Sequence, residues 1–503
     1  MITLAPSCGG DDDHPSPTPT LVWAACGPLV ADGAPGECAT MTVPLAWATE
    51  DGPTIDVFVK RFTGSGPRGQ LWILDGGPGG TGAQFDNADL IALFDQAGWD
   101  VYLPAHRGTG RSTPLECAAA IATTSTDGVL VTIEEAAACA AEVEATWGDG
   151  LAHFSAAHAA RDLGALIEAA RPTTGAQRVA IWGGSYGTYW AQRYLQAFPD
   201  QADAIVLEGS LDLTNRISDQ LRAGNAAGER FLDACAADGF CAAHLGDDPR
   251  AAYDAAVATI AARSCPPLAD VTVPTWKAMA RTLVDVQLGY DARAILAAVV
   301  RRTVRCGPAD AAVLAQFAAG LPVLAAQLDR ADGDLTSNNF MLALDEVRID
   351  LWPADLDRAV VGPPHDGLRF ASATEWYQLA DLIERWPAQP RAVDADQPAV
   401  TTVPILVLSG GLDTATPLEW SERAASRYPG AQHVVFPYGG HGVTFDQASL
   451  ECGLGLFLGF LADPAAAVDA SCVADVAPID FATGGGARDL YREWLGTENL
   501  WGD

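Results

Sequence analysis

One rhythm constrains this chain more than any other feature: strand-like and helix-like runs alternate, break off, and resume near the end. Strand-like runs ("TIDVFVKRF", "QLWILDGG", "WDVYLPAH", "RVAIWGG", "ADAIVLEGS") are interleaved with helix-like ones ("ADLIALFDQA", "AARDLGALIEAA", "YWAQRYLQAF"). Such alternation predicts a mostly parallel sheet with helices on both faces. From 212 to 398 the sequence becomes alanine-rich and helix-periodic, as in "DPRAAYDAAVATIAARS", and strand-like runs return at "VPILVLSGG" and "AQHVVFPYGG". The expected organisation is therefore an α/β core over 21–211 and 399–503, interrupted by a helical cap over 212–398. Residues 9–20 lack apolar periodicity and read as a flexible tether, so the core begins near Leu21.

At 503 residues and 49% hydrophobic, the chain can bury a large core. Its net charge of -34 repels nucleic acid and anionic membrane surfaces. The longest apolar stretches, such as "GLGLFLGFLA" from Gly453 to Ala462, are about half the roughly 20 residues that span a bilayer, so no transmembrane helix is expected.

Eleven cysteines fall in successive close pairs, a usage that favours an oxidising compartment and hence export. Proximity pairs Cys26 with Cys38, Cys117 with Cys139, Cys235 with Cys241, Cys265 with Cys306, and Cys452 with Cys472. A zinc site on Cys235 and Cys241 is the competing reading, but no second ligand pair lies nearby. Cys8 is left over. Ala5, Pro6 and Ser7 before it, and the Gly/Asp and Pro/Ser/Thr tether after it, are similar to the cleavage box of bacterial lipoproteins, which makes Cys8 a candidate lipidation site. Only seven residues precede it, too short an apolar stretch for a signal peptide.

The candidate chemistry centres on Gly183-Gly184-Ser185-Tyr186-Gly187, a GxSxG sequence between a strand-like and a helix-like run. Small flanking residues let a strained turn hold a serine hydroxyl proud of a sheet. A serine needs a base, and the base an orienting carboxylate. Asp413, after "VPILVLSGG", and His441, in "GGHGV", supply them at strand ends and in the order Ser, acid, His. Glu208 and Asp212, in "IVLEGSLD", are rival acids. His106 is the one other histidine in a glycine-rich loop. An oxyanion hole would take one backbone N–H from Tyr186 and one from the loop "LDGGPGGTG", where Gly77 is the chosen donor.

With these residues placed, the sequence resembles the α/β-hydrolase family of prolyl iminopeptidases and, more closely, the secreted bacterial tripeptidyl aminopeptidases. The resemblance rests on "ECATMTVPLAW", "LDGGPGGTG", "WDVYLPAHRGTGRSTPLEC", "WGGSYGTYWAQRYLQAFPDQADAIVLEGSLD", "VPILVLSGGLDTATP" and "GGHGV". It implies the α/β-hydrolase fold, Ser185 as nucleophile with Asp413 and His441, an oxyanion hole at Gly77 and Tyr186, no metal or cofactor, and release of short peptides or single residues from free N-termini. Asp75 departs from the histidine usual in prolyl iminopeptidases, and Ala105-His106 from the residues usual before Arg107. Exopeptidase action also needs acidic groups to hold a substrate ammonium, for which Glu208 and Glu375 are the candidates. A carboxylesterase would use the same catalytic residues on small esters. A binding protein on an inactive hydrolase fold would lack at least one of them.

Overall fold

The computed structural model describes residues 21–49, 51–64, 69–121, 131–171, 177–285, 292–330, 339–482 and 488–502. Cys8 and the tether lie outside them. Among the described residues nine strands form one sheet: β1 Ala24–Cys26, β2 Gly36–Pro44, β3 Thr54–Phe62, β4 Gly69–Leu74, β5 Trp99–Pro104, β6 Arg178–Gly184, β7 Ala204–Glu208, β8 Ile405–Gly410 and β9 Gln432–Phe436. Their spatial order is β1-β2-β3-β5-β4-β6-β7-β8-β9. The pairings from β1 through β5 on that side are antiparallel, and those from β5 across β4, β6, β7 and β8 to β9 are parallel. This is the α/β-hydrolase arrangement.

Strands β4, β5, β7 and β8 are buried along their whole length. Both faces are covered, which explains why they read as unbroken apolar runs rather than as alternating ones. The two faces feed separate cores. Trp72, Leu74, Ile181, Ile205, Leu207 and Val407 join one. Leu71, Ile73, Trp182, Val206, Leu406 and Leu408 join the other.

Between β7 and β8 the chain forms the helical insertion, from Gln220–Ala237 to Ala373–Ile383. It has its own core around Phe231, Tyr253, Trp276 and Leu296. Two stretches depart from the boundaries expected from sequence. Ile479, Phe481, Tyr491, Trp494 and Trp501, near the C-terminus, pack into the insertion's core rather than against the sheet. Conversely, Met341, Leu342, Leu344 and Leu351, inside the insertion, pack into the sheet's core. Side-chain burial, which crosses any number of chain positions, decides both. No helix of the described residues is long and apolar enough to cross a membrane.

Five disulfides close among the described residues: Cys26–Cys38, Cys117–Cys139, Cys235–Cys241, Cys265–Cys306 and Cys452–Cys472. They are the proximity pairs. Cys235 and Cys241 are thereby consumed, and no group of metal-binding side chains occurs among the described residues.

Candidate active site

Ser185 stands between the end of β6 and the helix Tyr186–Ala197, with φ 53° and ψ -126°. A non-glycine residue at positive φ costs of order 1–3 kcal/mol and persists only where its surroundings enforce it. They do so through close backbone packing. A Cβ at Gly183 would lie 2.4 Å from the Gly187 carbonyl oxygen, and one at Gly187 only 2.1 Å from that of Leu74. Hence the pentapeptide needs glycine at both ends. The Ser185 N–H donates to the Glu208 carbonyl at 2.9 Å, tying the turn to the end of β7. The hydroxyl itself makes no hydrogen bond among the described residues.

His441 lies over the same strand end, since a Cβ on Gly209 would sit 3.0 Å from its Nδ1. His441 Nδ1 and Asp413 Oδ2 are 2.9 Å apart. Asp413 is buried, and its carboxylate is organised by the turn after β8. Oδ1 accepts the N–H groups of Ala415 (2.9 Å) and Thr416 (2.7 Å), and Oδ2 accepts the Thr416 hydroxyl at 2.7 Å. Thr416 Oγ1 is also 3.0 Å from His441 Nδ1. Burial alone would depress the imidazole, but the Asp413 carboxylate, with Asp285 and Glu208, outweighs it and holds the ring at about 9. Such a histidine, with Nδ1 committed to Asp413, has Nε2 left for proton transfer.

The rival acids are engaged elsewhere. Asp212 pairs with Arg427 and caps the Thr214 turn. Glu208 is buried and accepts from Thr444 N (2.7 Å), Thr444 Oγ1 and Trp182 Nε1 (3.1 Å). Burial pushes its carboxyl up, against the pull of those bonds. This also corrects its assignment to a substrate ammonium, because its oxygens are already occupied by protein donors. Glu375 forms a two-point ion pair with Arg281, one bond at 3.1 Å, and its N–H is capped by Ser372. Its charge is neutralised within the insertion, so it too is corrected as an ammonium holder.

In the glycine loop after β4, Asp75 accepts from Gly76 N (2.7 Å) and Gly82 N (2.8 Å) and so braces the loop from within. That explains how an aspartate serves at this position. The Gly77 N–H and the Tyr186 N–H meet no acceptor among the described residues. Gly77 has φ 104°, open to glycine, and Gly76 packs on Ser185, where an added Cβ would be 2.7 Å from the Ser185 Cβ. Two free donors therefore flank the serine.

Glu346 escaped sequence reading. It ends the short helix Phe340–Glu346, which continues into a π-turn, Val347–Leu351. Its Oε2 accepts the Gly79 N–H at 3.1 Å, and Oε1 is 2.9 Å from His106 Nε2, an ion contact without hydrogen-bond alignment. Burial alone would lower the His106 imidazole, but Glu346 more than offsets it and raises it. A wide turn of this kind often marks a functional site, but its sequence, "FMLALDEVRIDL", is ordinary amphipathic helix. Glu346 thus joins Asp75 as a carboxylate on the glycine loop, and it comes from the helical insertion.

The chain is similar to several known proteins. A family model described as alpha/beta hydrolase fold matches residues 71–240, and one described as TAP-like protein matches 371–472. The tripeptidyl aminopeptidase of Streptomyces lividans is 25% identical over 449 residues, covering 82% of this chain and 79% of that one. Serine protease Hip1 of Mycobacterium tuberculosis is 26% identical over 262 residues, covering 46% of this chain and 48% of its own. Among solved structures, proline iminopeptidase of Mycobacterium smegmatis is 17% identical with a TM-score of 0.36, covering 84% of this chain and 98% of that one.

Proposed function

We propose that this chain, an α/β-hydrolase serine peptidase related to the tripeptidyl aminopeptidases, releases short peptides or single residues from free N-termini through an acyl-enzyme. The observation that carries the reading is the Asp413–His441 pair at the strand end beside the strained Ser185 turn. In the proposed cycle the Ser185 hydroxyl attacks the scissile carbonyl and passes its proton to His441 Nε2. Asp413 holds the ring and stabilises the imidazolium. The Gly77 and Tyr186 N–H groups receive the negative charge that develops on the carbonyl oxygen. His441 then protonates the leaving amine, and water repeats the sequence on the Ser185 ester.

Glu346 is the group we assign to the substrate ammonium, in place of Glu208 and Glu375. Among the described residues its Oε1 accepts no hydrogen bond and makes an ion contact with His106, whereas both oxygens of Glu208 and of Glu375 are hydrogen-bonded, and it is buried against the loop that carries the proposed oxyanion donor. Five disulfides fit a protein that folds outside the reducing cytosol.

A substrate panel tests the reading. Peptide p-nitroanilides with free amines should be cleaved, their acetylated counterparts should not, and labelling by a fluorophosphonate should vanish in Ser185→Ala. High turnover of p-nitrophenyl esters with every anilide untouched would make the protein a carboxylesterase. Absence of labelling in the intact protein would leave only a binding role.

A further inference from the structure

A carboxylate of the helical insertion reaches both loops of the Asp413–His441 pair. Asp285 is the last residue of the helix Val273–Asp285. Its Oδ2 accepts the backbone N–H and the hydroxyl of Thr414, each at 2.9 Å, on the loop that carries Asp413. Its Oδ1 accepts the backbone N–H of His441 at 2.7 Å. One side chain thus links two loops that follow different strands, 129 and 156 positions further along the chain.

The next helix, Ala292–Arg305, reinforces the same grip. Arg293 is fully buried; its Nε donates to the Val284 carbonyl (2.7 Å) and its Nη1 to that of Tyr438 (2.8 Å). Its Nη2 lies 3.5 Å from Asp446 Oδ2, which also accepts the Gly440 N–H at 3.4 Å. A Cβ at Gly440 would come within 2.8 Å of both Arg293 Nη2 and Asp285 Oδ1. The histidine loop and the insertion are therefore fitted to each other at backbone distance.

We propose that Asp285 is a positioning residue, through which the insertion sets the geometry of the acid loop against the histidine loop. The proposal rests on the reading of Ser185, Asp413 and His441 as a hydrolytic triad. Losing this carboxylate would free the His441 N–H and both Thr414 donors, letting the imidazole drift from the serine while the sheet stays folded. Its charge also matters to the ring. The charged groups facing His441 are Asp413 on the neighbouring loop, Asp285 from the insertion and Glu208 from β7, while the Arg293–Asp446 pair flanks its loop. Burial and then the Asp413 charge push the Asp285 carboxyl up to about 6, so Asp285 is largely ionised above neutrality and favours protonated His441 there.

The test compares wild type with Asp285→Asn and, as a milder lesion that spares the carboxylate, Thr414→Val. Three quantities are read: kcat and KM on the anilide the wild type cleaves best, the thermal midpoint, and the titration of His441 by NMR on histidine-labelled protein, assigned with His441→Gln. For Asp285→Asn we expect kcat to fall roughly ten- to a hundredfold with KM little changed, as for loss of one or two charge-assisted bonds. The His441 titration should move to lower pH by roughly half a unit or more. Thr414→Val should show a smaller loss of kcat in the same direction, and it decides the matter if Asp285→Asn does not fold. A lowered thermal midpoint with unchanged kcat and unchanged His441 titration would reduce Asp285 to a structural contact and overturn the proposal. A wild type that neither hydrolyses nor labels would instead defeat the triad reading. The NMR titration then still decides on Asp285, with an unmoved His441 counting against it.

Discussion

At His441, the proposed base, two effects oppose each other, and the winner would set the working pH. Burial disfavours the imidazolium, but the carboxylates around the ring outweigh it and hold it at about 9, well above the ordinary 6.5 or so. A general base must be neutral to accept the serine proton. Hence kcat/KM should climb with pH through about 9 rather than level off near 6.5; a plateau reached by about pH 7 contradicts this assignment. Asp413 earns separate tests. Asp413→Asn removes the charge that orients the ring and should lower kcat by about 10⁴-fold, the scale typical of triad carboxylates. Thr416→Val keeps the charge but loses the hydroxyl that donates to Asp413 Oδ2, so about a tenfold loss is expected.

At the scale of elements, covalent ties differ in what they contribute. The Cys265–Cys306 bridge spans 41 positions and ties the residue before Pro266–Leu268 to the residue after the helix Ala292–Arg305, whereas Cys235–Cys241 spans 6. Loop-closure entropy assigns about 4 kcal/mol to the first and about 2 kcal/mol to the second. Replacing each pair by serine and measuring the urea midpoint should give the larger loss for the longer loop; the reverse order would show that native-state packing, not chain entropy, dominates. Elements also explain why Glu346 and Asp285 were illegible. Each lies on helix-periodic sequence, which reports only that one face of a helix is buried. Which carboxylate meets a loop more than a hundred positions away depends on how the helices dock, and periodicity carries no information about docking.

For the whole molecule, a net charge of -34 combines with buried carboxyls held above their usual range. Glu208, Asp345 and Asp350 are pushed up by burial, and Asp285 by burial and Asp413. A group whose folded pKa is raised contributes stability that is complete below its unfolded pKa and is lost as pH rises through the folded value. His441 follows the same sign, losing its contribution as pH rises from about 6.5 through about 9. His153, His158 and His433 are depressed by burial and cost stability only once pH falls below about 6.5. The thermal midpoint should therefore rise as pH is lowered from about 9 to about 6.5, and added salt should raise it at the alkaline end by screening. A midpoint that is flat or falls over that interval would contradict the raised imidazole of His441.

The α/β alternation and the cysteine pairs were legible along the chain, and the proposed set of Ser185, Asp413 and His441 was read from the same kind of signal. Each depends on local grammar: period, glycine turns, and loops that follow strands. The contact between Asp413 and His441, the engagement of Glu208 by Thr444, of Glu375 by Arg281 and of His441 by Asp285, and the seating of Glu346 on the glycine loop came from tertiary packing alone. A carboxylate looks the same in sequence whether it meets an arginine, a threonine or nothing. Its role follows from the donors that folding brings within about 3 Å of its oxygens, because hydrogen bonds and desolvation act at that range.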